Sequence, residues 1–160
     1  MISSSDFLTL VAAVGSAASA GVFFTFSTFT MAGLRRLQPT PGATAMQAIN
    51  REAPKPPLML LLFGTAAVCA VLMVAALLDL DDPRAKFRLL AGALYILGAV
   101  ILTGLYHVPR NNRLEAVDPT SRAGMDYWQI YLREWVRMNH WRTLAPLVAA
   151  LLLVASLIPE

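Results

Sequence analysis

The residues of this chain best suited to recognise or transform a small molecule crowd into two segments, 34–56 and 109–142, and their edges. They are Asn50, Asn111, Asn112 and Asn139, the histidines His107 and His140, and the tryptophans Trp128, Trp135 and Trp141. Amides donate and accept hydrogen bonds, imidazoles exchange protons near neutral pH, and indoles stack on flat rings. Trp128, Trp135 and Arg142 recur at heptad spacing, with Tyr131, Met138 and Asn139 between them, so on a helix they share one face. Two indoles, a phenol, an amide and a guanidinium in one stripe suit a flat aromatic ligand with oxygen substituents. They suit equally an interface helix packed on its own bundle. His140 falls about a quarter-turn off that stripe.

His107 stands just inside the end of an apolar run. It can be a hydrogen-bonded structural residue, a ligand contact, or with His140 half of a metal site. Copper and iron normally take three or more protein ligands, and only Glu52, Glu115, Asp118, Asp126 and Glu134 lie near in sequence. Haem needs one or two axial ligands and stays open as an alternative to a cofactor-free site. The single cysteine, Cys69, allows no intramolecular disulfide and no thiolate cluster. Glycine-rich phosphate motifs and a nucleophile elbow are absent. No charge sits in the middle of an apolar segment, which argues against an ion pump or a proton relay.

The elements that must position these groups are unusually greasy. Hydrophobic residues make up 57% of the 160, charged residues only 14%, and the mean hydropathy is +0.58. Residues 7–34, 56–78, 89–109 and 143–159 carry no charge at all. Each approaches the roughly 20 apolar residues that cross a bilayer, whereas a soluble bundle needs charge along its outer faces. The expected fold is all-α: an integral membrane four-helix bundle forming one domain over 1–160, with helices at about 7–33, 57–78, 87–108 and 142–158. Segments 34–56 and 109–142 hold ten of the Lys and Arg residues against five carboxylates. The positive-inside bias therefore puts them on the cytoplasmic side of a bacterial-type inner membrane, with both termini outside. The net charge of +3 is this orientation signal rather than a mark of nucleic-acid binding. "MISSSDF" lacks a basic n-region, so the first helix is expected to be retained.

Locally, "GSAASAG" offers small residues at Gly15/Ser19 and Ala17/Gly21 for close helix contact. In "VFFTFSTFTM" the hydroxyls can bond back to their own helix, or Phe23, Phe26 and Ser27 can face a cavity. "PTPG" reads as a turn, after which Thr44 caps a short amphipathic helix, "AMQAINREA". The 57–78 helix, polar only at Thr65, reads as lipid-facing scaffold. "DPTSRAG" starts an aromatic-rich interface helix that runs unbroken into the last span. Pro109 is expected to end the third helix and bend the chain, swinging Asn111 and Asn112 towards Asn139 and Arg142.

Three blocks resemble the DUF1772, or anthrone oxygenase-like, family of small four-helix membrane proteins. They are "GVFFTFSTFTMAGLRRL" with "AMQAINR", "VPRNNRLEAVDP", and "YLREWVRMNHWRT", reaching in order from Gly21 to Thr143. The resemblance implies a membrane oxygenase that oxidises a flat phenolic aromatic, an anthrone, to a quinone with O2 and no cofactor. The carbanion of a phenolic anthrone can pass an electron to O2 directly, so such a protein supplies a base, oxyanion donors and a dry flat pocket. On this reading His140 is the base, Asn139, Asn112 and Arg142 hold the oxygens, and Trp135 and Trp128 stack on the rings. Tyr131, Asn111, His107 and Phe26 complete the substrate contacts. The expected partners are a hydrophobic aromatic small molecule, O2 and the lipid bilayer, without nucleic acid; a homo-oligomer stays open. Two alternatives are a copper-, iron- or haem-dependent redox protein using His107 and His140, and a non-enzymatic protein binding lipid, quinone or a partner.

Overall fold

The computed structural model describes residues 3–158; Met1, Ile2, Pro159 and Glu160 lie outside the described residues. Those residues form helices α1 (Ser4–Arg36), α2 (Pro39–Glu52), α3 (Pro56–Leu78), α4 (Ala85–Ala116) and α5 (Arg122–Ala155), with no strand among them. All but α2 are long and apolar enough to cross a membrane. Helix starts follow capping chemistry. Ser3 Oγ accepts from the Asp6 N–H at 3.1 Å and Ser121 Oγ from the Gly124 N–H at 3.0 Å. In α2 and α3 a proline fills the first turn, where its missing N–H costs nothing. "PTPG" is therefore the opening turn of α2 and not a loop, and Thr44 lies inside the helix rather than capping it.

Helix α1 packs on α3 and α5, and α4 packs on the same two, giving an up-and-down ring. Close approach is specified at Gly15, where an added methyl would run into Thr65 of α3. One turn on, Ser19 Oγ meets Tyr95 Oη at 2.9 Å, and Tyr95 donates onward to the Leu62 carbonyl at 3.2 Å. Three helices are thus bolted by one buried phenol. Ala17 and Gly21, the other small pair, face outward. Ala12, Leu72, Ala91, Ala149 and Leu153 fill the rest of this core.

A second core sits at one end of the bundle. Met31, Met46, Leu114, Trp128, Tyr131 and Trp135 pack where α2 lies across the extended ends of α4 and α5. Gln47 Nε2 donates to the carbonyls of Leu114 (2.9 Å) and Val117 (3.1 Å), and Thr40 Oγ1 donates to that of Pro119 (2.9 Å).

Helix α4 does not end at Pro109 but continues to Ala116. It is π-turned over Ile96–Ile101 and Thr103–His107, and the Val108 N–H reaches back to the Thr103 carbonyl. The widened turn just before the proline relieves the ring-to-carbonyl clash that stops an ordinary helix.

Candidate functional site

Between the two cores lies a cavity of about 450 Å³, within the size range of sites for drug-sized ligands. All five helices and the junction after α2 build it. α1 contributes Val22, Phe23 and Phe26; α2 and the residues after it contribute Met46, Ile49, Asn50, Ala53 and Pro54. α3 contributes Leu58, Met59, Leu62 and Phe63, so it is not merely lipid-facing scaffold. From α4 come Val100, Ile101, Thr103, Gly104, Leu105, Val108 and Asn111, and from α5 Trp135 and Arg142. The walls are apolar, and no Asp, Glu or His is among the lining residues.

Arg142 is the one charge in this lining. The residue is 6% exposed, and none of the ion pairs among the described residues includes it. Neutral groups hold it instead. Nε donates to Asn139 Oδ1 at 3.0 Å and Nη1 to Thr103 Oγ1 at 3.4 Å, while the carbon of the group lies 4.2 Å from the Phe23 ring centroid and 5.0 Å from that of Trp135. Nη2 makes no hydrogen bond with the described residues. A buried cation without an anion is costly, so its presence here calls for a counter-charge from elsewhere. The expectation that no charge is buried within a span fails at Arg142, because α5 begins well before the apolar run and carries Arg142 down to the level of Thr103 and Phe23.

Asn139 orients the arginine. Its Nδ2 donates to the Phe23 carbonyl and to Ser27 Oγ, each at 2.8 Å. A carbonyl only accepts, so the amide oxygen is left for Arg142. Asn111 is fixed by the same logic. Its Oδ1 accepts from Tyr131 Oη at 2.7 Å and from Trp135 Nε1 at 2.9 Å, and an indole N–H only donates. The Asn111 Nδ2 is thereby released, and the Asn50 Nδ2 is buried without a partner. Three donors without protein acceptors, from Asn50, Asn111 and Arg142, belong to one apolar cavity. Such an array matches an anion with its charge spread over oxygens.

Of the residues singled out by sequence, the cavity wall takes Phe26, Asn111, Trp135 and Arg142 directly. Asn139 acts one step behind, through Arg142. Tyr131 and Trp128 stack in turn behind Trp135, with centroids 5.9 and 5.8 Å apart, and do not reach the cavity. His107 is fully buried, set edge-on against Trp135 at 4.9 Å, with both ring nitrogens lacking a partner; it too lies behind the wall. His140 and Asn112 are not brought to the site. Each is exposed, His140 because its offset from the stripe turns it with Trp141 to the outside of α5, Asn112 because α4 stays helical past Pro109 and only Asn111 faces inward. The two histidines therefore share no site, and the described residues hold no cluster of three or more His, Cys, Asp or Glu. In the aromatic block of α1 both local readings apply. Thr25 and Thr28 bond back to the carbonyls of Val22 and Phe24, while Ser27 serves Asn139 and lies 3.1 Å from Thr143 Oγ1. Asn50, one of the amides singled out by sequence, is on the wall as well; sequence reasoning missed Thr103 and the α3 wall, and the one aliphatic hydroxyl in the uncharged run of α4 was the only available signal for Thr103.

A family model described as anthrone oxygenase matches residues 58–152, more than half of the chain. The matched span covers α3, α4 and most of α5, and so includes Thr103, Asn111, Trp135 and Arg142. No curated protein and no solved structure matches.

Proposed function

The chain belongs to the anthrone oxygenase family, and from that premise we propose that it oxidises a flat phenolic aromatic with O2 to the quinone, with Arg142 holding the substrate as its anion. The observation that carries this is the buried guanidinium, unpaired by any carboxylate among the described residues, in an apolar cavity that offers donors and no acidic or imidazole side chain.

In this reading the substrate anion supplies the missing counter-charge. An anthrone carries an acidic CH2; its anion spreads negative charge onto the ring oxygens, where Arg142, Asn111 and Asn50 donate. Favouring the bound anion lowers the substrate's own pKa, so the phenolic end gives its proton to water at the membrane surface as it enters, and no base in the cavity wall is needed. The anion gives one electron to O2, forming superoxide and a carbon radical. Their recombination makes a C–O bond at the former CH2. Cleavage of the O–O bond with loss of the remaining hydrogen then yields the carbonyl and water. One O2 is consumed per quinone formed, and the substrate supplies all four electrons, so the reaction calls on no cofactor. Phe23, Phe26 and Trp135 give the flat, water-poor walls this chemistry favours. On the charge asymmetry of its loops, the site end faces the cytoplasm and both termini face out.

The test is quinone formation and O2 uptake from a dihydroxy-anthrone by the protein in liposomes, above the uncatalysed rate. Wild-type rates no better than empty liposomes would sink the proposal. A reporter active only in the cytoplasm, fused to the C-terminus, should stay silent; a strong signal reverses the orientation.

A further inference from the structure

We infer that the cavity is loaded sideways from the bilayer, through an apolar mouth between α3 and α4, and that its ligands are membrane-dissolved amphiphiles that enter oxygen end first. The inference rests on reading the cavity as a ligand site. The walls formed by α1 and α5 are closed: Phe23, Trp135 and Arg142 are all buried. α2 forms the roof, with Met46 buried and Gln47 pinned to α4. The rim begins at Pro54, exposed at the junction of α2 and α3, and continues along the α3–α4 side. Leu105 lines the cavity yet is 77% exposed, and Phe63 lines it at 54%; Ile101 and Val108 are exposed as well. A side chain that both lines a cavity and faces outward marks its opening.

Every one of those rim residues is apolar, so the opening is costly against water and favourable against acyl chains. The bond from Tyr95 Oη to the Leu62 carbonyl is the last to join α3 and α4; towards the site end no hydrogen bond joins them among the described residues. That stretch of α4 contains both π-turned segments. Gly104 lies within it, lines the cavity, and a Cβ built there meets nothing within 4 Å. The donors sit at the inner end and the apolar rim at the outer. An entering amphiphile therefore leads with its anionic oxygens and leaves its apolar end among the lipids. Extensions at that end are tolerated whatever their length, while bulk beside the acidic oxygens is not.

The experiment mixes protein in liposomes with liposomes carrying a dihydroxy-anthraquinone and follows quenching of tryptophan fluorescence, at equilibrium and in time. Gly104→Phe, which narrows the mouth, should slow arrival and departure about tenfold while the affinity moves by less than about threefold. Phe63→Ala, which widens it, should speed both rates. Gln47→Leu, which unpins the roof from α4 without touching the cavity lining, should leave both alone. Rates that ignore both mouth variants, or that rise with Gln47→Leu instead, overturn lateral entry while binding itself stands; if Gly104→Phe does not fold, an unchanged rate in Phe63→Ala is enough. Wild-type protein that shows no quenching overturns the reading of the cavity as a ligand site, and lateral entry with it.

Discussion

Two arginines are buried at opposite ends of this bundle, and they are held differently. Arg88, 5% exposed, has carboxylates on both sides: Asp82 Oδ2 lies 3.3 Å from Nη1 and Asp6 Oδ1 3.7 Å from Nη2. Asp6 is shared with Arg84 at 3.0 Å, so the first helix is tied to the start of α4 by a network in which the Arg88 charge is matched by carboxylates, although its Nε and Nη2 make no hydrogen bond among the described residues. Arg142, 6% exposed, has an amide, a hydroxyl and two aromatic faces, and no anion. A paired buried arginine is a structural joint. An arginine held by neutral groups beside a cavity keeps its charge available to something that enters.

The comparison breaks most readily at Arg142. Arg142→Gln should lower quinone formation by about 100-fold or more, the scale of losing an oxyanion donor, while thermal stability holds or rises because an uncompensated charge has gone. Equal losses of activity and stability would make Arg142 a joint like Arg88. Arg88→Gln is the mirror experiment. It should destabilise by about 2 kcal/mol, reduced from the fully buried case because Asp6 and Asp82 are partly exposed, and leave the affinity for a dihydroxy-anthraquinone unchanged. Asn139→Ala should cost about 1–3 kcal/mol of stability from the polar groups it leaves unpaired, and should weaken ligand affinity too, because Arg142 loses the amide that aims it. A variant that lost stability but bound normally would remove Asn139 from the site. The neighbours Asn111 and Asn112 sharpen the picture. Asn111→Ala should weaken ligand binding, since it both removes a donor and frees the Trp135 indole, while Asn112→Ala should stay within about 0.5 kcal/mol of wild type by thermal melt. The smallest effect is expected at His140. His140→Ala should leave the rate and its rise with pH unaltered, because substrate ionisation and not an exposed imidazole sets that rise; a lost or shifted pH profile would restore His140 as the base.

Some of this was readable without coordinates. Uncharged runs of membrane-spanning length have few folded solutions, since backbone groups in lipid must bond within their own helix, so the all-helical bundle follows from composition and spacing. The heptad recurrence of Trp128, Trp135 and Arg142 put them correctly on one buried face. The asymmetry of amides and indoles pointed to the end of the molecule where the cavity lies. Other features depended on packing. Whether Pro109 breaks a helix turns on the π register before it, which no local propensity encodes. Which of Asn111 and Asn112 faces inward follows from α4 continuing as a helix into the second core. His140 is one position away from Asn139, yet the helix sends one outward and the other onto Phe23 and Arg142. Residue types and helical periods are local and set what each face carries. The counter-charge of an arginine is settled only when four helices and a roof come together, because it depends on every group that the tertiary structure brings near, and on the anion it leaves out.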